Sequence, residues 1–184
     1  MRTIRQNVFE TNSSSAHCIV VADQESFRKF KEGELFADSW WYKCPYQADL
    51  ITFDKVYNMY INAVNAERDW ARIHHLNEDF FIVSKTLLKW LFDHPDVVDE
   101  MGEEETEQYV REHTSGKLQD ELLTCINGRN WFAWSWVYEQ YHPISYEMIR
   151  YFTKDFETEY DDYRCVAPHE NADGQVEMEA VWYY

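Results

Sequence analysis

The chain lacks a long apolar run, a close pair of cysteines and a surplus of basic residues, and each absence removes a class of function. No stretch of its 184 residues stays apolar for the roughly 20 positions that a membrane-spanning helix needs. The opening Met1-Arg2-Thr3-Ile4-Arg5-Gln6-Asn7 leads into no apolar signal-peptide core, so a cytoplasmic location is expected. The four cysteines, Cys18, Cys44, Cys125 and Cys165, are far apart with no C-x-x-C among them. In a reducing compartment they are expected to remain thiols. His17-Cys18 and His74-His75 are adjacent rather than spaced to grip one ion, so neither a metal nor another cofactor is expected.

Bases are scarce: 17 Lys and Arg stand against 34 Asp and Glu, for a net charge of −17. The imbalance is uneven. Residues 1–92 hold twelve acids and eleven bases, a net of −1, whereas residues 93–184 hold twenty-two acids and six bases, a net of −16. Such a field repels phosphate backbones and attracts Lys- and Arg-rich surfaces. Direct nucleic-acid binding is therefore not expected, because its affinity comes largely from cationic groups that displace counterions. An acidic surface can serve solubility alone. The asymmetry between the halves points instead to a basic protein surface as partner.

What is present is enough for a core. Hydrophobic residues make up 45% of the chain, too many for general disorder, and 184 residues suit one domain, 1–184. Eight Trp, thirteen Tyr and eleven Phe supply large rings for that core and for interfaces.

The local patterns can be read along the chain. His17-Cys18-Ile19-Val20-Val21-Ala22 is β-branched and predicts a strand. Residues 24–31 follow as a short helix with Phe27 and Phe30 on one face, stopped at Gly33. Residues 35–42 read as a second strand or extended segment. Helical patterns cover 54–75, 77–93, 103–113 and 118–126, the second ended by His94-Pro95. The ring-dense 131–141 is read as a helix, although such runs are also strand-like. Ser145 looks like the N-cap of a helix through Lys154. Residues 156–166 and 175–184 alternate rings and β-branched residues with acids, and Asp173-Gly174 between them signals a turn, hence a C-terminal hairpin. The expected fold is α+β. A small, mainly antiparallel sheet combines the N-terminal strand with the C-terminal hairpin, and helices from the middle of the chain cover it.

The acids fall into two blocks. Residues 93–121 hold eleven acids and two bases, and residues 139–179 hold eleven acids and three bases. Glu103, Glu104, Glu105 and Glu107 crowd the start of one predicted helix. Glu157, Glu159, Asp161 and Asp162 are interleaved with Tyr160 and neighbouring rings. Carboxylates at intervals, mixed with rings, are what a nucleic-acid mimic needs; solvated helix and edge-strand faces look the same. These eight residues are the candidate partner-binding set.

One polar segment stands apart: Asn7-Val8-Phe9-Glu10-Thr11-Asn12-Ser13-Ser14-Ser15-Ala16-His17. Thr11, Asn12, Ser13, Ser14 and Ser15 can bond nearby backbone groups and so stabilise a tight loop. Alternatively, with His17, they line a hydroxyl-rich pocket. The segment resembles the N-terminal signature VFETNSSSxH of a loose family of proteins from gut bacteria and their phages. Some members of such mobile-element sets resemble anti-CRISPR proteins that block type II RNA-guided nucleases. The resemblance implies a non-enzymatic inhibitor acting in the bacterial cytoplasm on a CRISPR effector nuclease, with or without its guide RNA. It assigns no catalytic residue.

A second layout implies an enzyme. Glu177-Met178-Glu179 is an E-x-E, which with an early Arg and a Ser-rich strand resembles the Arg…Ser…Glu-x-Glu arrangement of mono-ADP-ribosyltransferases. Here Arg2 and Arg5 lie next to the serines, where that family places them on separate strands. The alternative expectation is ADP-ribosyl transfer to a host protein.

Overall fold

The computed structural model describes residues 15–38, 47–75, 84–99, 101–126, 133, 136–137, 143–153 and 163–183. Five strands and seven helices lie within them. The strands are β1 (Ser15–Ala22), β2 (Leu35–Asp38), β3 (Gln47–Thr52), β4 (Tyr163–Glu170) and β5 (Val176–Tyr183). The helices are α1 (Gln24–Lys31), α2 (Phe53–Ile73), α3 (Lys85–Asp93), α4 (Pro95–Asp99), α5 (Glu103–His113), α6 (Gly116–Ile126) and α7 (Tyr146–Thr153).

The strands form one mixed sheet in the order β2-β3-β1-β5-β4. Three of its neighbouring pairs are antiparallel, and β1 with β3 is parallel. The α+β class, the partnership of the N-terminal strand with the C-terminal hairpin and the helices in the middle of the chain all match expectation. Strand β3 does not appear among the sequence-based elements. It is short, and its segment Gln47-Ala48-Asp49-Leu50-Ile51-Thr52 becomes a strand by pairing with β2 on one side and β1 on the other.

Local chemistry explains most element ends. Asp23 caps α1: its Oδ1 accepts from the Ser26 N–H at 2.9 Å, and this bond holds the Asp23 carboxyl below its usual range. At the other end Gly33 adopts φ +72°, the Gly33 N–H donates to Phe30 O at 3.1 Å, and the Glu34 N–H donates to Lys29 O at 2.9 Å. That pair of bonds is a Schellman closure, which glycine permits at no steric cost. Helix α3 starts at Lys85 behind the N-cap Ser84, whose Oγ accepts from the Leu87 N–H at 3.2 Å. The expectation placed this start at Asn77; the extended backbone of Ser84 (φ −128°, ψ 119°) sets the boundary later, and residues 76–83 lie outside the described set. Helix α6 starts at Gly116, two residues before the expected Leu118. Of the extended segment expected over 35–42, the part 35–38 is β2. Of the helix expected over 131–141, residues 133, 136 and 137 are described, and they are helical.

The hairpin turn runs from Asn171 to Gln175. The Asn171 N–H donates to Gln175 O at 2.8 Å, the Gly174 N–H donates to Asn171 O at 3.0 Å, and Gly174 sits at φ +74°. Asn171 Oδ1 accepts from the Asp173 and Gln175 N–H groups, both at 3.0 Å. Pro168 falls at the register shift between Val166 and His169 on the edge strand β4, where a missing N–H breaks no ladder. The opposite edge, β2, is closed by a bridge in which Ala37 N–H donates to Ile144 O at 2.9 Å and Ile144 N–H to Ala37 O at 2.8 Å.

The core lies between one face of the sheet and the helices. Val20 and Met178 bring the sheet to it, with Phe36 of β2, Val56, Tyr60 and Val64 of α2 and Leu87, Leu88, Leu91 and Phe92 of α3. Phe27 and Phe30 of α1 meet Tyr146 of α7 edge-on, with ring centroids 6.3 and 5.6 Å apart. Tyr60 packs on Trp136 at 5.1 Å, and burial pushes its phenol pKa well up.

Candidate partner-binding surface

Helix α5 carries four of the candidate acids. Its N-cap is Gly102, which has no side chain to accept from the first turn. Glu103, Glu104 and Glu105 occupy that turn, where the helix macrodipole favours negative charge. The helix is anchored from beneath. Thr106 and Val110, four residues apart, are both buried, and Thr106 Oγ1 donates toward Gly102 O at 3.0 Å and lies 3.3 Å from Val97 O. This fixes the face that points away. Glu103, Glu104 and Glu105 are all exposed and make no ion pair among the described residues. Glu107 differs: it is half-buried and accepts from Arg111 Nε at 3.0 Å, so its charge is largely answered within the helix.

Three of these four acids are thus exposed in the first turn of α5, and the fourth belongs to a pair. Glu112 adds a carboxylate that sequence reading passed over; it accepts from Gln108 Nε2 at 2.8 Å on the same outer side. Acidity does not guarantee exposure. Glu121 of α6 is buried to 8% exposure and lies 3.4 Å from Lys117 Nζ. Glu157, Glu159, Asp161 and Asp162 lie outside the described residues, as do Thr11, Asn12, Ser13 and Ser14.

His17 lies in β1 as expected, and the strand begins two residues earlier, at Ser15; the two are in register with Val181 and Tyr183 of β5. The same ladder sets Ile19 opposite Glu179 and Val21 opposite Glu177. Directly paired residues share a face, and faces alternate along a strand. Val20 and Met178, buried in the core, mark the inner face. Positions 15, 17, 177 and 179 therefore share the outer one. Beyond β5, His169 of β4 is in register with Glu177, and Arg164 with Val181.

Two further features were missed by sequence reading. At the ends of α3 and α5 an imidazole stacks on the ring four residues earlier: His94 on Trp90 at 4.3 Å, and His113 on Tyr109 at 4.0 Å. In both, Nδ1 lies 2.9 Å from the carbonyl of that earlier residue. A carbonyl only accepts, so Nδ1 carries the proton and the histidine closes the helix end. The signal was an aromatic-x-x-x-His spacing at a predicted helix terminus. The other feature is apolar: Trp70 is 53% exposed and Ile73 is 73% exposed at the end of α2, with His74 against the Trp70 ring at 4.4 Å.

Among the described residues no group of three or more His, Cys, Asp or Glu side chains is placed to hold a metal ion, and no helix is long and apolar enough to cross a membrane. Cys125 is buried and is not part of a disulfide. No protein-family model, no curated protein and no solved structure matches this chain.

Proposed function

We propose that this protein is a non-enzymatic inhibitor that docks on the basic surface of an RNA-guided CRISPR effector nuclease and blocks its nucleic-acid binding or cleavage. The reading is carried by one observation: the excess negative charge lies in residues 93–184, and its described centre is an anchored helix that presents Glu103, Glu104 and Glu105 to solvent. Such nucleases hold their heteroduplex in a positively charged channel and read the adjacent DNA motif with arginines. Carboxylates on a rigid helix compete for those cations without paying to order a loop. Long-range attraction speeds the encounter, and contacts at the interface set its lifetime. The VFETNSSSxH resemblance supplies the class of partner.

The experiment is a pull-down with a type II effector nuclease, with and without guide RNA, followed by a DNA-cleavage assay. A stable complex at low salt and dose-dependent loss of cleavage are expected. No complex and undiminished cleavage over a range of protein excess would overturn the reading.

One observation favours an enzymatic second reading. The β1–β5 register places the E-x-E carboxylates, Glu177 and Glu179, on the outer sheet face with positions 15 and 17 of the Ser-rich segment. An ADP-ribosyltransferase needs its serine strand and its paired glutamates close together. In that reaction the bond from ribose to nicotinamide breaks, a new bond forms to a side chain of the acceptor protein, and nicotinamide leaves. NAD-dependent mass gain on a protein of the host lysate tests it.

A further inference from the structure

We draw no further inference here: the strongest candidate, the exposed Trp70–Ile73 face at the C-terminal end of α2, is an unpartnered apolar patch, and nothing in the structure shows what covers it.

Discussion

Ser145 Oγ donates to the backbone oxygen of Phe92 at 2.9 Å, across 53 positions of sequence. The same hydroxyl accepts from the Met148 N–H at 3.1 Å, so one buried side chain closes the C-terminal end of α3 and caps the N-terminal end of α7. Ser145→Ala strands a buried carbonyl and a buried N–H together, at a cost of about 2–3 kcal/mol. For a chain of this size each kcal/mol is worth about 2–4 °C in Tm. Thermal unfolding should show a fall of several degrees for Ser145→Ala and much less for Ser145→Thr, which keeps the hydroxyl. Equal melting of Ser145→Ala and the parent would mean that the bond contributes nothing.

Gly174 holds φ +74° in the hairpin turn, and a Cβ there would meet only Glu170 Oε1, at 3.8 Å. Space is available, so Gly174→Ala isolates the backbone cost of a left-handed L-residue, about 1 kcal/mol. A drop of about 2–4 °C in Tm with an unchanged far-ultraviolet spectrum is expected. Gly102→Ala is the contrast: its φ is −64° and nothing lies within 4 Å of its Cβ, so the change adds no left-handed strain and carries only the cost of alanine in place of glycine at an N-cap.

Glu25 gives the acid limb of stability a specific contributor. Hydrogen bonds from Arg28, at 2.8 and 3.0 Å, hold its carboxyl down to about 2. A depressed folded pKa contributes stability above the unfolded value, and that contribution is lost as pH falls through the folded one. The window therefore runs from about 4.5 down to about 2. The pair is solvent-exposed, so its share is small. Urea midpoints taken every half unit between pH 5 and 2 should fall less steeply for Glu25→Gln than for the parent. Parallel curves would remove Glu25 from the account.

The α5 cluster makes the docking reading quantitative. Replacing Glu103, Glu104 and Glu105 together by Gln should slow association with the nuclease by about tenfold while changing dissociation little, because rim charges act on encounter. Raising salt should slow the parent in the same way, as the Debye length shrinks from about 10 Å at 0.1 M to about 3 Å at 1 M. Stopped-flow rates at several ionic strengths test both. The triple variant also loses favourable charge at a helix N-terminus, about 0.3–1 kcal/mol per residue, so its melting must be checked first. A folded variant with the parent's on-rate and salt dependence would sink the electrostatic mechanism.

Glu179→Gln separates the inhibitor from the transferase. Both glutamates of the E-x-E are half-buried on a strand face, and exchange of one carboxylate for an amide of the same shape should leave the fold intact. Inhibition of cleavage should persist in the variant. If instead an NAD-dependent modification of a host protein is found with the parent and vanishes in Glu179→Gln, the enzymatic reading replaces the inhibitor.

Much of the local structure was legible because it rests on short-range chemistry. The run Cys18-Ile19-Val20-Val21 fits only a pleated, packed strand; Gly33 and Asp173-Gly174 mark left-handed turns; Ser145 three residues before Met148 spells an N-cap. Strand β3 was not legible. Its alternation is only six residues long, and what makes it a strand is the choice of β1 and β2 as partners.

The candidate surface divides along the same line. Composition alone determined that charge is concentrated in residues 93–184 and that Glu103, Glu104 and Glu105 begin a helix, because net charge and macrodipole preference are local sums over the chain. The Glu107–Arg111 pair follows from i,i+4 spacing within α5, but only the tertiary structure decided that Glu121 is buried. It alone brought Ser15 and His17, at one end of the chain, onto the sheet face of Glu177 and Glu179, at the other. Burial and strand pairing depend on which distant segment packs against a residue, and that free energy comes from removing both surfaces from water at once.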